Sequence, residues 1–263
     1  MHFLVSLLQN FLDWVISKKP FLPHILNERH RIPIIAHRGA HEQEGFKENT
    51  LEAFKWCVDH DIWGIEMDIR WTCDDIPIIL HDPNCGRHFD YPDLFVDEVH
   101  FDELRKLVPD IPSFAEVLDL CEGKVHLMLE LKTPLTHRQN QILAAHLESS
   151  KPVRDYHLLS LDPTIFATVR FAPKECFLPV AELNTTFISN LSAQYGWGGL
   201  CGYYLFLNDH KVEQHHHLRQ KVGVGFINYP STLVQSLEKG VDWIFTDRVV
   251  TLSEFVKHLP RRK

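Results

Sequence analysis

His37, Arg38, Glu66, Asp68, His81, Glu130 and Lys132 are the residues of this chain whose types and spacing suit chemistry on a charged oxyacid. Glu66 and Asp68 lie two apart in GIEMDIR, and Glu130 and Lys132 lie two apart in HLMLELK. On strands, where side chains alternate between faces, each pair points to one side. Three carboxylates delivered to one place by two strands repel one another, and a divalent cation removes the conflict. An all-oxygen donor set suits a hard ion, Mg²⁺ or Ca²⁺, over Zn²⁺, although the neighbouring histidines keep softer metals open. His37 and His81, each able to give or take a proton near neutral pH, then supply general acid and base. Arg38 and Lys132 add fixed positive charge of the kind that stabilises a phosphate during transfer. Phosphodiester cleavage is the reaction these residues favour. For any single pair the plainer reading is a salt bridge, such as Glu66 or Asp68 with Arg70 or a lysine. The whole set at one end of one scaffold argues for a site.

The elements that must position these residues follow from apolar runs. Strands are expected at 32–36, 64–70, 126–132, 156–161, 176–182, 200–206, 222–228 and 243–247. Amphipathic helical segments fall at 49–60, 113–122, 137–148, 163–171, 209–220 and 230–239. Asn49, Ser113, Asp162 before Pro163, and Pro230 serve as helix starts. Eight alternating units predict a (β/α)₈ TIM barrel, whose strand ends carry its chemistry. An open doubly wound sheet is the runner-up, and no glycine-rich dinucleotide or P-loop fingerprint supports its usual ligands. IPIILHD at 76–82 follows Arg70 too closely for a parallel crossover. It is expected to return as a hairpin arm that carries His81 to the mouth, with a short insertion after it.

The chain has 263 residues, 44% hydrophobic and 24% charged, which fits a folded domain rather than a disordered one. With 27 basic and 35 acidic residues, its net charge of −8 does not advertise nucleic-acid binding. Six cysteines without a CxxC pair fit reduced thiols and a cytoplasmic setting. Residues 1–30 are expected to form an amphipathic helix and linker, and 31–263 the barrel. In FLVSLLQNFLDWVI (3–16) the apolar positions keep a helical rhythm, while Gln9, Asn10 and Asp13 interrupt any signal-peptide core. About 20 uninterrupted apolar residues are needed to span a membrane, and the segment lacks them. It reads first as a helix packed on the domain or on a second copy. The alternative is peripheral membrane contact, with Lys18 and Lys19 near headgroups. Nothing in the sequence sets the oligomeric state.

The chain also resembles the glycerophosphodiester phosphodiesterases. The matching stretches are IIAHRGA (34–40), ENTLEAF (48–54), GIEMDIRWTCDDIPIILHD (64–82) with Arg87 following, IPSFAEVL (111–118) and LELK (129–132). Weaker echoes are LLSLDP (158–163), the run ending at Asn228, and GVDWIFTD (240–247). The ordered set HRG, EN, E-x-D, HD and E-x-K is specific, whereas any one alone is weak. The resemblance implies a TIM-barrel hydrolase splitting small-molecule glycerophosphodiesters into sn-glycerol 3-phosphate and an alcohol. It implies Glu66, Asp68 and Glu130 as ligands of one divalent cation, His37 and His81 as base and acid, and Arg38 and Lys132 as phosphate contacts, with Glu48 at the site. Attack by the vicinal glycerol hydroxyl through a cyclic phosphate, or direct attack by water, both fit, with either histidine as base. Two rival classes are a lysophospholipase D-like or phospholipase C-like barrel acting on membrane lipids, and a noncatalytic headgroup binder.

The chain departs from the family pattern in places. Gly225–Phe226–Ile227–Asn228 replaces a W-T-V-N run, which bears on substrate identity. Lys47 replaces a proline, and the stretch 83–112 is short. A short insertion is compatible with a bulkier leaving group. Phe89, Tyr91, Pro92 and Phe95 read first as packing over the barrel and otherwise as an apolar rim. Asn228 and Tyr204 end strands where they could touch glycerol hydroxyls. His215–His216–His217 with His210 reads as a solvated surface rather than a metal tract. Cys85 reads as a bystander thiol, and Trp71 and Trp243 as packing residues.

Overall fold

Eight apolar runs form strands in the computed structural model, which describes residues 32–43 and 45–258. They are β1 (Ile34–His37), β2 (Gly64–Trp71), β3 (His126–Leu131), β4 (Tyr156–Ser160), β5 (Phe177–Ala181), β6 (Gly199–Tyr203), β7 (Lys221–Gly225) and β8 (Trp243–Thr246). Neighbours pair in parallel, and β1 pairs with both β2 and β8, so the sheet closes. With helices between strands, this is the expected TIM barrel rather than the open sheet. The proposed helix at 3–16 lies outside the described residues.

Period-2 alternation sorts each strand. Ile35, Met128, Leu159, Leu178, Cys201, Trp243 and Phe245 fill the barrel's interior. The opposite parity, including Ile65, Met67, Leu127, Leu129 and Ile244, packs under the helices in the larger core. Pro77–Ile79 pairs antiparallel with the end of β2, as the short connection required. The insertion after it folds on a small core of Ile78, Leu80, Cys85, Val96, Leu104, Val108 and Ile111. Phe89 packs against that core, whereas Tyr91 and Phe95 are exposed, so the packing expectation holds for only part of the set.

Several local readings are corrected. Thr50, not Asn49, caps the helix Leu51–Asp59, its side chain accepting from the Ala53 N–H. Residues 163–171 form only a 3₁₀ helix, Pro163–Thr168, which ends at an extended Val169. Helices Phe101–Leu107, Thr185–Tyr195 and Val249–Lys257 were not legible as helical segments. Thr185–Tyr195 is rich in Thr, Ser and Asn and gains its order from packing, not propensity. His215 is fully buried, bonded to Ser189 Oγ at 2.8 Å and Gln220 Oε1 at 2.7 Å. The solvated-surface reading therefore fails for His215 and holds for His210, His216 and His217, which are exposed.

At the barrel's floor, His126 Nδ1–H donates to the Arg154 carbonyl at 3.0 Å, leaving Nε2 to accept from His157 Nδ1–H at 2.8 Å. Trp63 stacks on His126, and Trp243 meets His157 edge-on. Burial holds the two imidazoles at about 4 and about 3, below the ordinary 6.5. The folded state thus binds fewer protons than the unfolded state below pH 6.5. The associated stability is fully present above that pH and is lost as pH falls toward the folded values. In chemical denaturation at about pH 7 and about pH 5, a His157→Gln variant should gain less stability with rising pH than the unaltered chain, by on the order of 2 kcal/mol. A variant with the same pH dependence of stability as the unaltered chain would contradict this assignment.

Candidate active site

The carboxyl ends of β1, β2 and β3 meet in register: His37 lies opposite Glu66, and Asp68 opposite Glu130. Parity turns all four inward, and ligand oxygens of Glu66, Asp68 and Glu130 come within 4.8 Å of one another. The three acids are buried. Asp68 Oδ2 accepts from the Asn49 amide at 2.7 Å and lies 3.2 Å from Arg38 Nε, while Oδ1 lies 2.7 Å from Lys132 Nζ. Lys132 also donates to Glu130. Burial opposes ionisation of Asp68, but Lys132 and then Arg38 hold it far below the usual carboxylate range. For Glu66 the balance is reversed: burial, then the Asp68 charge, push it up to about 8 against the weaker pull of His37 and Arg38. Burial raises Glu130 as well, against the pull of Lys132.

Glu66 Oε1 is buried without a hydrogen-bond partner among the described residues. A buried carboxylate oxygen without a partner is costly, and this one belongs to an all-oxygen trio of the spacing a hard cation needs. Glu66, Asp68 and Glu130 therefore fit a divalent ion.

Each candidate imidazole carries a carboxylate on Nδ1. His37 Nδ1–H donates to Asp247 Oδ1 at 2.6 Å, and its Nε2 lies 3.8 Å from Glu66 Oε2. Burial disfavours the imidazolium, but the hydrogen bond and charge of Asp247, reinforced by Glu66, raise His37 to about 9. His81 Nδ1–H donates to Asp82 Oδ1 at 2.7 Å, and burial keeps His81 below its ordinary value. The His81 carbonyl accepts from Arg70 Nε at 2.8 Å, which pins the hairpin arm to β2. Arg70 is thus occupied outside the acid cluster, whereas the lysine of the plainer reading is present, Lys132 pairing with both Asp68 and Glu130.

A belt of ion pairs joins the two sides. Arg87 donates to Asp82 at 2.6 Å and grips Glu48 with both terminal nitrogens, at 2.6 and 3.1 Å. Glu48 also accepts from Arg38 at 3.0 Å. Burial works against the Glu48 charge, and the two arginines keep it below the ordinary range. Arg38 and Asn49 both have left-handed backbone, φ 57°, and Gly39 has φ 84°. A Cβ on Gly39 would stand 2.9 Å from Ala53 Cβ. The HRG turn therefore requires glycine at its third position. Its strain is held by Arg38 N–H donating to the Glu66 carbonyl at 2.9 Å and Asn49 N–H to the Arg38 carbonyl at 3.0 Å.

Asn228 lies beyond β7, and its side chain is used internally. It donates to Asp247 Oδ2 at 3.0 Å and accepts from Thr246 Oγ1 and the Asp247 N–H. Its position makes it a brace for Asp247. Tyr204 is buried past the end of β6, and Trp71 and Trp243 are buried as packing residues. Cys85 is buried with its thiol pushed up to about 11 by desolvation, as a bystander thiol would be. Phe226 sits at the mouth with φ 62°, its ring edge toward His37 at 6.4 Å and toward Tyr203 at 5.7 Å. Phe206 continues this rim.

Asp247, Asp82 and Arg87 stand in stretches the sequence singles out, but it assigns them no role, and Asn49 only that of a helix start. Asp247 was available by parity, since Trp243 and Phe245 point inward and 247 is next in step. Replacing it by Asn removes the charge that keeps His37 protonated. The limb of the pH–rate profile governed by His37 should then move to lower pH, with kcat reduced by roughly 10–100-fold. A profile that keeps its shape and merely drops in amplitude would leave Asp247 a packing residue.

Comparison with known proteins gives concordant results. The model of the "Glycerophosphoryl diester phosphodiesterase family" matches residues 37–189. Human glycerophosphodiester phosphodiesterase 1 is 38% identical over 85 residues, 32% of this chain and 25% of that protein, so the aligned stretch spans only a quarter of that relative. A solved glycerophosphodiester phosphodiesterase from Thermotoga maritima superposes with a TM-score of 0.70 at 21% identity, covering 88% of this chain and 99% of the other. An Oleispira antarctica phosphodiesterase, solved with the product sn-glycerol-3-phosphate, gives 0.71 at 22% identity, covering 85% and 96%. At these identities the structural matches establish the fold.

Proposed function

The chain belongs to the glycerophosphoryl diester phosphodiesterase family, and on that premise we propose that it hydrolyses glycerophosphodiesters to sn-glycerol 3-phosphate and an alcohol. The observation that carries the reading is the pairing of a buried trio, Glu66, Asp68 and Glu130, with two imidazoles each backed by a carboxylate. Glu66, Asp68 and Glu130 would hold one divalent cation, Mg²⁺ or Ca²⁺. When bound, that ion supplies positive charge for the phosphate oxygens and neutralises the acids. Arg38 and Lys132 orient the phosphate from the same mouth.

The backing carboxylates leave Nε2 of each histidine for the substrate. One Nε2 takes the proton of the vicinal glycerol hydroxyl as its oxygen bonds to phosphorus. The other gives its proton to the alcohol as the phosphorus–oxygen bond breaks. Water then opens the cyclic phosphate with the two roles exchanged. The belt Asp82–Arg87–Glu48–Arg38 keeps the parts in mutual position.

Phosphorus NMR of parallel reactions with glycerophosphocholine and lysophosphatidylcholine tests this. Glycerol 3-phosphate from the first is the expected product. The exposed rim of Phe226 and Phe206 favours a second reading, in which apolar leaving groups or acyl chains are accepted and the second substrate yields lysophosphatidate. An accumulating cyclic phosphate as the end product would indicate a phospholipase C-like enzyme. No turnover of either substrate with cation present would leave a headgroup binder and overturn the proposal.

A further inference from the structure

Away from the barrel mouth, the tip of the hairpin between β2 and the return arm Pro77–Ile79 meets the start of the helix Phe101–Leu107. Three donors of different chemistry converge there: the Cys73 thiol, the Asp74 carboxylate and the His100 imidazole, with ligand atoms within 4.8 Å of one another. Of the six cysteines, Cys73 alone is exposed; the other five are buried. Asp74 Oδ1 accepts from the Phe101 N–H at 3.0 Å, which turns Oδ2 toward His100 Nδ1 at 3.6 Å. The Cys73 N–H donates to the Val99 carbonyl at 3.0 Å, so the segments bearing the donors are already tied by backbone.

We propose that Cys73, Asp74 and His100 form a second cation site, distinct from the carboxylate trio, that takes a borderline transition ion of the Zn²⁺ class. The chemistry of the donors decides the class: one sulfur, one nitrogen and one oxygen suit such an ion, whereas Mg²⁺ and Ca²⁺ prefer all-oxygen shells. Tetrahedral bonds of about 2.0–2.3 Å place ligand atoms roughly 3.3–3.8 Å apart. The Asp74–His100 separation already has that value, and Cys73 and His100 are exposed enough to close the remainder by rotation. Binding forms a metal–sulfur bond and releases the thiol proton, and water fills the fourth position. Bound metal clasps the hairpin to the insertion, in the arm that leads on to His81. This inference does not rest on the proposed hydrolase activity.

The test is a Co²⁺ titration of the full-length chain, kept reduced with a phosphine, followed by sulfur-to-cobalt charge-transfer absorption in the near ultraviolet. The acid trio and the exposed His216 and His217 contain no sulfur and are silent in this band. The expected result is a band that saturates at one equivalent, vanishes in Cys73→Ser and needs about tenfold or more Co²⁺ in His100→Ala. Zn²⁺ should displace it, and excess Mg²⁺ should not. Absence of the band in the unaltered chain, its survival in Cys73→Ser, indifference to His100→Ala, or displacement by Mg²⁺ would each overturn the site.

Discussion

Exhaustive chelation of divalent ions should abolish turnover of glycerophosphocholine, and readdition of Mg²⁺ or Ca²⁺ should restore it. The reason lies in the uneven charge balance of the acid trio. Asp68 is neutralised by Lys132 and Arg38, but Glu66 has a buried oxygen without a hydrogen-bond partner among the described residues and is pushed up to about 8. An ion that binds there must displace the Glu66 proton. Its apparent affinity should therefore rise as pH increases toward about 8 and level off above it, a dependence measurable by calorimetry without reference to activity. Glu66→Gln removes the displaced proton along with the ligand charge, so affinity should fall and its dependence on pH in this range should flatten. Full activity after chelation would remove the cation from the reaction.

The second large effect concerns the imidazoles. His37→Ala and His81→Ala should each lower kcat by roughly 10²–10⁴-fold, the range a positioned general acid or base contributes. Both side chains are part-exposed at the mouth, so neither truncation opens a cavity in the main core. Stability should be nearly unchanged for His81→Ala. For His37→Ala it should fall moderately, because Asp247 would lose its charged partner while keeping the Asn228 hydrogen bond. The expected signature is a loss in kcat with binding of glycerol 3-phosphate largely retained. A His81→Ala chain that turns over glycerophosphocholine at the original rate would end the acid–base assignment for that residue.

Much of the site was legible because strand parity and strand ends are local properties. GIEMDIR and HLMLELK alternate, so Glu66, Asp68 and Glu130 had to share a face once those runs became strands. The hairpin was legible for a similar reason: five residues between Arg70 and Ile76 are too few for a parallel crossover, and the observed arm returns antiparallel. Asn49 shows the limit of such reasoning. Its type and place before LEAF suggest a helix cap, but its left-handed backbone turns the amide onto Asp68, and Thr50 takes the cap.

The histidines show the same limit at longer range. A run of three on a helix spreads around its faces, but which one is buried depends on the neighbour it meets, here Ser189 and Gln220. Residue types, alternation and connection lengths, all set by a few consecutive bonds, determined the barrel and the list of acids, bases and cations. Closure of the barrel decided who partners whom. Pairing of β1 with β8 brings Asp247 against His37 across 210 residues of chain. Asn228 is drawn to Asp247, and Glu48 becomes the joint between two arginines. Those contacts depend on the spatial meeting of segments whose separation along the chain leaves no local pattern to read.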